Sequence, residues 1–328
     1  MSNRKPNKYG VVYLGIILLL ALVAIGSLTQ VIHYWVWGDN SDEQSAGTKT
    51  VMKDGIAYFP RQDITVVLVT GIDQQGKVQP SGSYNNHGAA DMVMLLILDD
   101  ANQKYDVLYL NRDTMLTMPV LGLGGKPAGN YFGQLALSHT YGTGMEDSCE
   151  NTRKAVSDFF MGVRIDHYVS MNMDAVSILT DAVGGVTVNV EEDFSAVDPT
   201  ITMGTIKLSG KQALHYVRTR KDVGDQLNLS RIDRQQKFVD GFKAAFEQQA
   251  DKNTEFFTST MESVSEYLVT DCTMTIFSDL YRSIKDYEFH QSYKLEGVNV
   301  VGEKYYEFYA DEEKLEDLTL ELFYAPKK

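Results

Sequence analysis

Ile64-Thr-Val-Val-Leu-Val-Thr70, which leads into Gly71-Ile72-Asp73, is an almost continuous run of apolar and β-branched residues. Two runs of the same kind follow it at 91–98 and 105–111. Strands that are apolar throughout are typical of the centre of a sheet that is covered on both faces. The three runs therefore predict a central β-sheet with helices on each side.

The chain beyond residue 150 alternates between helical and extended patterns. The predicted elements are helices at 151–161, 174–183 and 231–249, strands at 168–171, 186–190 and near 293–300, two further helical stretches in the tail, and a closing helix from Glu312. This alternation predicts an α/β sandwich, in which helices flank a mixed central sheet.

The N-terminal segment predicts a membrane anchor. Residues 10–28 are uncharged and almost wholly apolar, and about 20 such residues cross a bilayer. Basic residues precede the run, acidic residues follow it, and Trp35 and Trp37 stand where aromatic rings favour the membrane interface. We therefore expect a single-pass protein of the cell membrane. A cleaved signal peptide is the alternative, but no small-residue cleavage site follows the run closely.

The predicted division follows from this orientation. We expect a cytoplasmic N-terminus at 1–8, a transmembrane anchor with its interface at 9–37, an extracellular linker at 38–60, and an extracellular folded domain at 61–328. Cys149 and Cys272 lie in that domain, and the sequence leaves open whether they form a disulfide or remain free thiols.

Four arginines lie close together in a chain whose formal net charge is −14. They are Arg218, Arg220, Arg231 and Arg234. An acidic chain lacks the broad basic surface that nucleic acid needs, so we expect no nucleic-acid partner. The planar guanidinium group suits phosphate and carboxylate. The spacing indicates a local anion site, with a solvated salt-bridge surface as the alternative.

The spacing of these arginines predicts where they point. Arg218 and Arg220 are two residues apart, which places both on one side of an extended segment. Arg231 and Gln235 share the inward face of the predicted helix at 231–249, where polar groups need a partner. Arg234 lies off that face and is predicted to be solvated.

Polar residues also stand at the predicted strand ends. Asp73, Asp91 and Arg112 each occupy such a position. One aspartate alone is commonly a turn or cap residue. Two carboxylates that converge would suit Mg²⁺ or Mn²⁺, which prefers hard oxygen ligands together with phosphate oxygens. A set of arginines with a divalent cation suits a pyrophosphate, because the cations neutralise charge on the transferred phosphate.

Taken in order, several motifs in the chain resemble those of the LytR–CpsA–Psr (LCP) family. They are Gly71-Ile72-Asp73, Asp91 with the apolar strand behind it, Asn111-Arg112-Asp113-Thr114, Asp181-Ala-Val-Gly184-Gly185-Val186-Thr-Val-Asn-Val190, Leu208-Ser-Gly210-Lys-Gln-Ala213-Leu-His-Tyr216-Val-Arg218-Thr-Arg220 and Arg231-Ile-Asp-Arg-Gln235-Gln236. The resemblance extends from about residue 55 to the C-terminus and includes the closing segment at 306–323.

The resemblance implies an activity. Enzymes of this family are membrane-anchored, metal-dependent phosphotransferases of Gram-positive cell walls. They move a glycopolymer (wall teichoic acid, capsule or a related polymer) from an undecaprenyl-pyrophosphate carrier to the 6-hydroxyl of N-acetylmuramic acid in peptidoglycan. The domain at 61–328 would then be the catalytic domain. The polyprenyl chain would lie in an apolar pocket between sheet and helices. The apolar residues at 169–183 could line that pocket or form plain core.

The resemblance also assigns roles to residues. Asp73 and Asp91 take the metal positions. Arg112, Arg218, Arg220 and Arg231 take the pyrophosphate positions, and Gln235 assists them. The implied catalytic residues are Asp73, Asp91, Arg112, Arg218 and Arg220. Asp113 is expected to orient the arginines rather than to touch substrate.

The chain also departs from the family pattern at four positions. Gln75 and Ala89 stand where the family usually carries arginines, and Gln134 and Ala136 replace a usual lysine and asparagine. These changes remove positive charge from one side of the site. They keep two alternatives open: a non-catalytic protein that binds polyprenyl phosphate or wall polymer, and a hydrolase that cleaves the pyrophosphate with water.

Overall fold

The computed structural model describes residues 50–327 apart from 123, 225–227, 251, 254 and 304. The predicted anchor at 9–37 lies outside the described residues. Within the described part of the chain, no helix is both long and apolar enough to cross a bilayer. Two strands, β1 (Val51–Lys53) and β2 (Ile56–Pro60), fall within the predicted linker. The folded domain thus begins before the predicted boundary at 61.

The chain continues as alternating strands and helices. The remaining strands are β3 (Ile64–Ile72), β4 (Ala90–Asp99), β5 (Lys104–Leu110), β6 (Met115–Leu121), β7 (Pro127–Gln134), β8 (His167–Asn172), β9 (Val186–Val190), β10 (Gly204–Leu208), β11 (Leu268–Thr270), β12 (Glu288–Lys294), β13 (Gly297–Val301), β14 (Tyr306–Ala310) and β15 (Tyr324–Pro326). The helices are α1 (Glu146–Phe159), α2 (Met173–Ala182), α3 (Gly210–Arg218), α4 (Asn228–Ala250), α5 (Phe256–Val264), α6 (Met274–Asp286) and α7 (Glu312–Phe323), with 3-10 turns at Leu135–Thr140 and Ser265–Tyr267.

Six strands form the central sheet in the order β11-β8-β3-β4-β5-β12. The β8–β3 and β5–β12 pairs are parallel, and the other three pairs are antiparallel. Smaller two- and three-stranded sheets surround it, among them the hairpins β6–β7, β9–β10 and β13–β14. The predicted mixed sheet flanked by helices is confirmed.

The central strand β3 shows why its sequence is apolar throughout. Val67 and Val69 pack into one hydrophobic core, and Val66 and Leu68 pack into a second core on the other face of the sheet. Neighbouring side chains of a strand point to opposite faces, so a sheet covered on both sides needs apolar residues at every position. The predicted strand near 293–300 is instead two strands, because β12 ends at Lys294 and β13 begins at Gly297.

Helix α4 lies unusually close to strand β9. A Cβ atom at Gly241 would stand 2.2 Å from the Thr187 carbonyl oxygen, so this contact admits only glycine without a shift of the helix. The contact fixes the position of α4, whose N-terminal part carries Arg231, Arg234 and Gln235.

Candidate active site

Three strand ends meet at one edge of the central sheet. Strand β3 ends, β4 begins and β5 ends at this edge, because both pairings are antiparallel. Asp73, Asp91 and Arg112 stand at these ends, as the sequence predicts. The Asp73 backbone N–H donates to the Ala89 carbonyl at 2.9 Å, which fixes the chain on either side of the edge.

Asp91 is the centre of an ion-pair network. Arg112 Nη1 contacts its Oδ1 atom, and Arg231 Nη1 lies 3.1 Å from its Oδ2 atom. Arg231 Nη2 also donates to the main-chain oxygen of Asp91 at 3.1 Å. Only 3% of Arg231 is exposed, and this burial lowers its pKa to about 10, against the attraction of Asp91. The guanidinium group therefore remains charged at neutral pH and points inward, as predicted.

Arg218 and Arg220 reach two different carboxylates. Arg218 Nη2 lies 2.7 Å from Asp73 Oδ1, and Arg220 Nη1 lies 3.0 Å from Asp113 Oδ2. The prediction that both arginines lie in one extended segment is wrong, because Arg218 is the last residue of helix α3. Thr219 follows with extended backbone angles, so the chain turns between the two arginines and directs them to separate partners.

Asp113 is buried beneath these arginines. Its Oδ1 atom accepts from Gln134 Nε2 at 3.0 Å and lies 3.5 Å from Arg112 Nε. Burial raises the pKa of Asp113, while the positive charges of Arg112, Arg220 and Arg231 oppose that rise. This geometry agrees with the expected positioning role for Asp113, because its carboxylate is enclosed and holds Arg220 and Arg112 in place.

We call these residues the arginine cradle. It consists of Arg112, Arg218, Arg220 and Arg231 with Asp73, Asp91 and Asp113. Four guanidinium groups against three carboxylates leave a formal charge of +1, and every arginine has a carboxylate partner. An anionic ligand that binds here must exchange with carboxylates that already neutralise the arginines.

Arg234 is buried, which corrects the prediction that it is solvated. Its guanidinium group donates to the carbonyls of Tyr216, at 3.0 Å, and Thr219, and it pairs with Glu192. These carbonyls belong to the C-terminal turn of α3, so Arg234 supports the segment that carries Arg218 and Arg220. The sequence does contain an indication that Arg234 is buried. Arg234 precedes Phe238, which is buried, by four residues and therefore shares its helix face.

Gln235 also faces inward, as predicted. Its Nε2 atom donates to the Val217 carbonyl at 3.2 Å, so it too binds the last turn of α3. Its assumed assistance to the pyrophosphate site stays a prediction. The contact shows how α4 and α3 are joined directly behind the cradle.

An apolar cavity of about 70 Å³ opens beside the cradle. The polar and charged side chains Asp91, Arg218, Arg231 and Gln235 form part of its lining. Its walls come from the sheet and from helices α2, α3 and α4, and they consist of Gly71, Met92, Met94, Tyr109, Met171, Asn172, Met173, Val176, Val217, Phe238 and Val239. Part of the region at 169–183 therefore lines a cavity between sheet and helices.

The four departures from the family pattern have different structural roles. Gln75 is exposed and Ala89 is half-buried. Gln134 donates to Asp113 and, at 2.7 Å, to the Tyr306 carbonyl. The backbone N–H of Ala136 donates to the Arg112 carbonyl at 3.0 Å. Gln134 and Ala136 thus organise the cradle through neutral hydrogen bonds.

Tyr306 is a neighbour of the arginine cradle that the sequence does not indicate. The Arg220 guanidinium lies 5.6 Å from the centre of its ring, a cation–π distance. Because Tyr306 comes from strand β14, far along the chain, no local sequence pattern indicates this contact.

Asp73 and Asp91 fit the chemistry of a hard divalent cation. They offer carboxylate oxygens from neighbouring strand ends, which is the donor type that Mg²⁺ and Mn²⁺ prefer. Both carboxylates are bound to arginine. A cation must therefore share them with the arginines or take their place as the arginines turn to an anionic ligand.

A separate group with metal-ligand spacing lies at the other end of β8. The ligand atoms of His167, Asp271 and Cys272 lie within 4.8 Å of one another. The fold already uses this carboxylate, because Asp271 accepts from the Tyr168 N–H at 2.8 Å. Cys272 and Cys149 are both buried free thiols, which decides between the two alternatives for the cysteines.

Comparison with known proteins identifies the class to which this fold and this site belong. The model of the LytR_cpsA_psr family matches residues 36–323. The chain belongs to this family, and the resemblance found in its motifs is confirmed.

Individual relatives agree with this assignment. The chain is 26% identical over 332 residues to the polyisoprenyl-teichoic acid–peptidoglycan teichoic acid transferase TagU of Bacillus subtilis (strain 168), with 98% of each chain covered. Among solved structures, B. subtilis TagV is 22% identical with a TM-score of 0.58, covering 80% of this chain and 96% of that one. TagT bound to LI-WTA is 21% identical with a TM-score of 0.59, covering 80% and 90%. These structures share the fold.

Proposed function

We propose that this protein transfers a phosphate-linked wall glycopolymer from an undecaprenyl-pyrophosphate carrier to peptidoglycan. The observation that carries the proposal is the joining of two kinds of surface at one place. The apolar cavity shares Asp91, Arg218 and Arg231 with the arginine cradle. A lipid pyrophosphate has the same two parts, an apolar chain attached directly to a polyanion.

The lining of the cavity suits the lipid end of such a donor. Ligand cavities are mainly apolar, with a few polar groups that fix the orientation of the ligand. Methionines at positions 92, 94, 171 and 173 contribute to the wall. Their unbranched side chains adapt to irregular apolar shapes, which suits the first isoprene units of a polyprenyl chain.

The ion pairs of the cradle suit the charged end of the donor. Arginine binds carboxylate and phosphate with the same planar arrangement of donors. In the free protein the carboxylates hold the guanidinium groups apart and correctly aimed. When the pyrophosphate arrives, its oxygens replace carboxylate oxygens as partners of Arg112, Arg218, Arg220 and Arg231. The arginines are preorganised, so little reorganisation accompanies the reaction.

The proposed step breaks one P–O bond and forms another. The oxygen of a sugar hydroxyl attacks the phosphorus that carries the glycopolymer, and the bond to the second phosphate breaks. Undecaprenyl phosphate leaves with the bonding electron pair, and the hydroxyl proton passes to a carboxylate of the cradle. Asp73 is the most accessible of the three, since 38% of its side chain is exposed against 11% for Asp91 and 4% for Asp113.

Mg²⁺ or Mn²⁺ would be held by Asp73 and Asp91 together with phosphate oxygens. When bound, such a cation neutralises negative charge on the phosphates. Binding can be measured without turnover. With an unreactive pyrophosphate analogue present, Mn²⁺ should broaden the resonances of the wild-type protein, and Asp91→Asn should weaken this effect at least tenfold. An unchanged Mn²⁺ affinity in that variant would place the cation elsewhere.

A single-pass anchor at 9–37 forms part of the same proposal. A donor with a long polyprenyl chain stays in the membrane, and a tether would keep the cradle beside it. The full-length chain should therefore sediment with membranes and resist extraction by high salt. Release by salt alone would remove the anchor from the proposal.

The decisive experiment follows both products. The full-length chain in detergent is given a purified lipid-linked donor, uncross-linked peptidoglycan and Mg²⁺. We expect polymer phosphate covalently attached to the glycan, with one undecaprenyl phosphate released for each attachment. Release without attachment would indicate a pyrophosphate hydrolase, and tight donor binding without release would indicate a binding protein. Either result would overturn the proposed transferase.

A further inference from the structure

Three side chains with metal-ligand chemistry lie at the edge of the central sheet opposite to the arginine cradle. Strand β8 runs parallel to β3, whose C-terminal end leads to Asp73, so the start of β8 lies at the far edge. His167 is the first residue of β8, and Asp271 and Cys272 directly follow β11, its antiparallel neighbour. The strand pairing therefore brings His167 and Cys272 together, although they are far apart in the sequence.

The donor atoms of these side chains converge. Asp271 Oδ1 lies 3.7 Å from His167 Nδ1 and 3.9 Å from Cys272 Sγ. All three ligand atoms lie within 4.8 Å of one another. Around a tetrahedral Zn²⁺ ion with bonds of about 2.0–2.3 Å, ligand atoms are about 3.4–3.8 Å apart. Shifts of about 1 Å or less, which small side-chain rotations supply, would place the three donor atoms around one ion.

The kinds of donor atom indicate which metal the group suits. Imidazole nitrogen, thiolate sulfur and carboxylate oxygen are the ligands of Zn²⁺, whereas Mg²⁺ and Ca²⁺ take oxygen ligands. Three protein ligands leave the fourth tetrahedral position to water. The side chains of His167 and Asp271 are 24% and 27% exposed, while Cys272 is buried. An ion can therefore enter from solvent past the imidazole and the carboxylate and reach the enclosed sulfur.

The carboxylate of Asp271 can bind a cation and keep its protein partners. Its Oδ1 atom accepts from the Tyr168 backbone N–H at 2.8 Å. A carboxylate oxygen has a second lone pair, and ligating carboxylates are commonly fixed by hydrogen bonds of this kind. Its Oδ2 atom faces Arg153, 3.4 Å from Nη1. The charge of Arg153 is balanced by Glu150, whose Oε2 atom lies 2.5 Å from Arg153 Nη2.

Arg153 and the sulfur ligand lie on different sides of the sheet. The Arg153 guanidinium stands over the ring of Tyr168, which packs into one core, whereas Cys272 packs into the core on the other face. His167 precedes Tyr168 in β8 and so points to the side of Cys272, because neighbouring side chains of a strand alternate. A cation would therefore reach Asp271 Oδ1 from the side of Cys272, away from Arg153.

We propose that His167, Asp271 and Cys272 bind one Zn²⁺ ion, with water as the fourth ligand. The thiol of Cys272 gives its proton to solvent when its sulfur coordinates the ion. The ion joins the start of β8 to the end of β11, a three-residue strand at the edge of the central sheet. Because the linked segments are far apart in the sequence, the cross-link should stabilise the folded state. The site is separate from the Mg²⁺ positions proposed in the cradle.

Zinc titration of the full-length protein in detergent tests the site. A chromophoric chelator competes for the ion, and excess Mg²⁺ keeps Zn²⁺ from the aspartates of the cradle. The wild-type protein should bind one equivalent with a Kd below about 1 μM. His167→Gln and Cys272→Ser should each weaken binding by about tenfold or more. The matched controls are His290→Gln, in the exposed His290–Asp106 pair, and Cys149→Ser, at the other buried thiol. Both should bind Zn²⁺ as the wild type does.

Two further measurements identify the ligands. With Co²⁺ in place of Zn²⁺, the wild-type protein and Cys149→Ser should show a thiolate-to-cobalt charge-transfer band, and Cys272→Ser should lose it. Zn²⁺ at 100 times its Kd should raise the melting temperature of the wild-type protein by about 5 °C, and that of His167→Gln by much less. His167→Gln changes a partly exposed side chain, so its circular dichroism spectrum without metal should match the wild type. Equal Zn²⁺ affinity in wild type and His167→Gln, or a cobalt band that survives in Cys272→Ser, would overturn the proposal.

Discussion

Arg220 Nη1 lies 3.0 Å from Asp113 Oδ2, across 107 residues of sequence. Asp113 is itself fixed by Gln134 and by burial at the start of hairpin β6–β7. The segment that follows α3 therefore places Arg220 by contact with a buried carboxylate at the sheet edge. The reaction geometry at Arg220 should depend on a carboxylate that never touches substrate.

The variant Asp113→Asn tests this dependence. It keeps the size and the hydrogen bond to Gln134 but removes the charge that holds Arg220. We expect kcat to fall roughly 10- to 100-fold, the range that follows from small misplacement of a catalytic group. The melting temperature should change little. The matched control is Asp63→Asn, which removes an exposed ion pair with Arg61 and should leave kcat unchanged. Equal kcat values for both variants would remove Asp113 from the positioning of Arg220.

The arginines themselves should be indispensable for transfer. Arg218→Ala and Arg220→Ala should each lower turnover about 10²- to 10³-fold, the usual effect of removing one preorganised charge-stabilising donor. Their side chains are 42% and 33% exposed, so the folded state should survive both changes. Arg153→Ala, at a 30% exposed arginine in surface ion pairs, is the control. Near-wild-type transfer by both cradle variants would remove the arginines from the mechanism.

Filling the apolar cavity should block the lipid without touching the cradle. Val176 lines the cavity from helix α2 and is only partly buried, so Val176→Trp places its ring in the open space. A ligand at 100 times its Kd stabilises a protein by about 2.7 kcal/mol, and this stabilisation by a short-chain polyprenyl pyrophosphate should largely disappear in the variant. Val176→Ala, which enlarges the cavity, should retain it. A full thermal shift with Val176→Trp would place the lipid elsewhere.

His139 should make the stability depend on pH. The residue is 1% exposed, and its Nδ1 donates to the Gly88 carbonyl at 2.8 Å. Burial lowers its pKa from 6.5 to about 4, although that hydrogen bond and Asp147 oppose the change. Between these values the unfolded chain binds a proton that the folded chain does not. The stabilising contribution of the buried neutral imidazole of His139 is therefore complete above pH 6.5 and is lost as the pH falls through 4.

Urea unfolding at several pH values measures this contribution. The free energy of unfolding should drop by about 3 kcal/mol between pH 6.5 and 4 on account of His139. In His139→Gln this part of the slope should vanish. His87→Gln, at an exposed position, controls for the loss of a histidine. If the two variants show the same slope, His139 is not the group responsible.

The central sheet could be predicted because its burial leaves a local signature. Within Ile64–Ile72, Val67 and Val69 pack into one core, and Ile64, Val66, Leu68 and Ile72 pack into the other. Apolar residues therefore face both sides of the sheet, and the run is recognisable in the sequence. The inward direction of Arg231 and Gln235 was also predictable, because helical spacing places them with Val239 and Phe242.

Other features depend on contacts between distant segments. Helix α3 ends at Arg218, and Arg234 donates hydrogen bonds to the carbonyls of Tyr216 and Thr219 at this end. Nothing near Arg218 in the sequence indicates that the helix ends there. The contact between Tyr306 and Arg220 joins a late hairpin to an earlier loop. In the sequence, Gln134 is recognisable only as the replacement of a charged residue by a neutral one. Its two hydrogen bonds, to Asp113 and to the Tyr306 carbonyl, are evident only in the structure.

The neutralised state of the cradle has a consequence for selectivity. A teichoic acid chain carries many phosphodiester groups, each with a single charge, whereas the linkage to the carrier is a diphosphate with at least two. Since each guanidinium group already has a carboxylate partner, one charge is too little to displace several of them at once. Under the proposed function, the aspartates compete with phosphate groups for the arginines. The protein would then bind the phosphodiesters of the repeating units weakly and bind the diphosphate, whose P–O bond is broken, selectively.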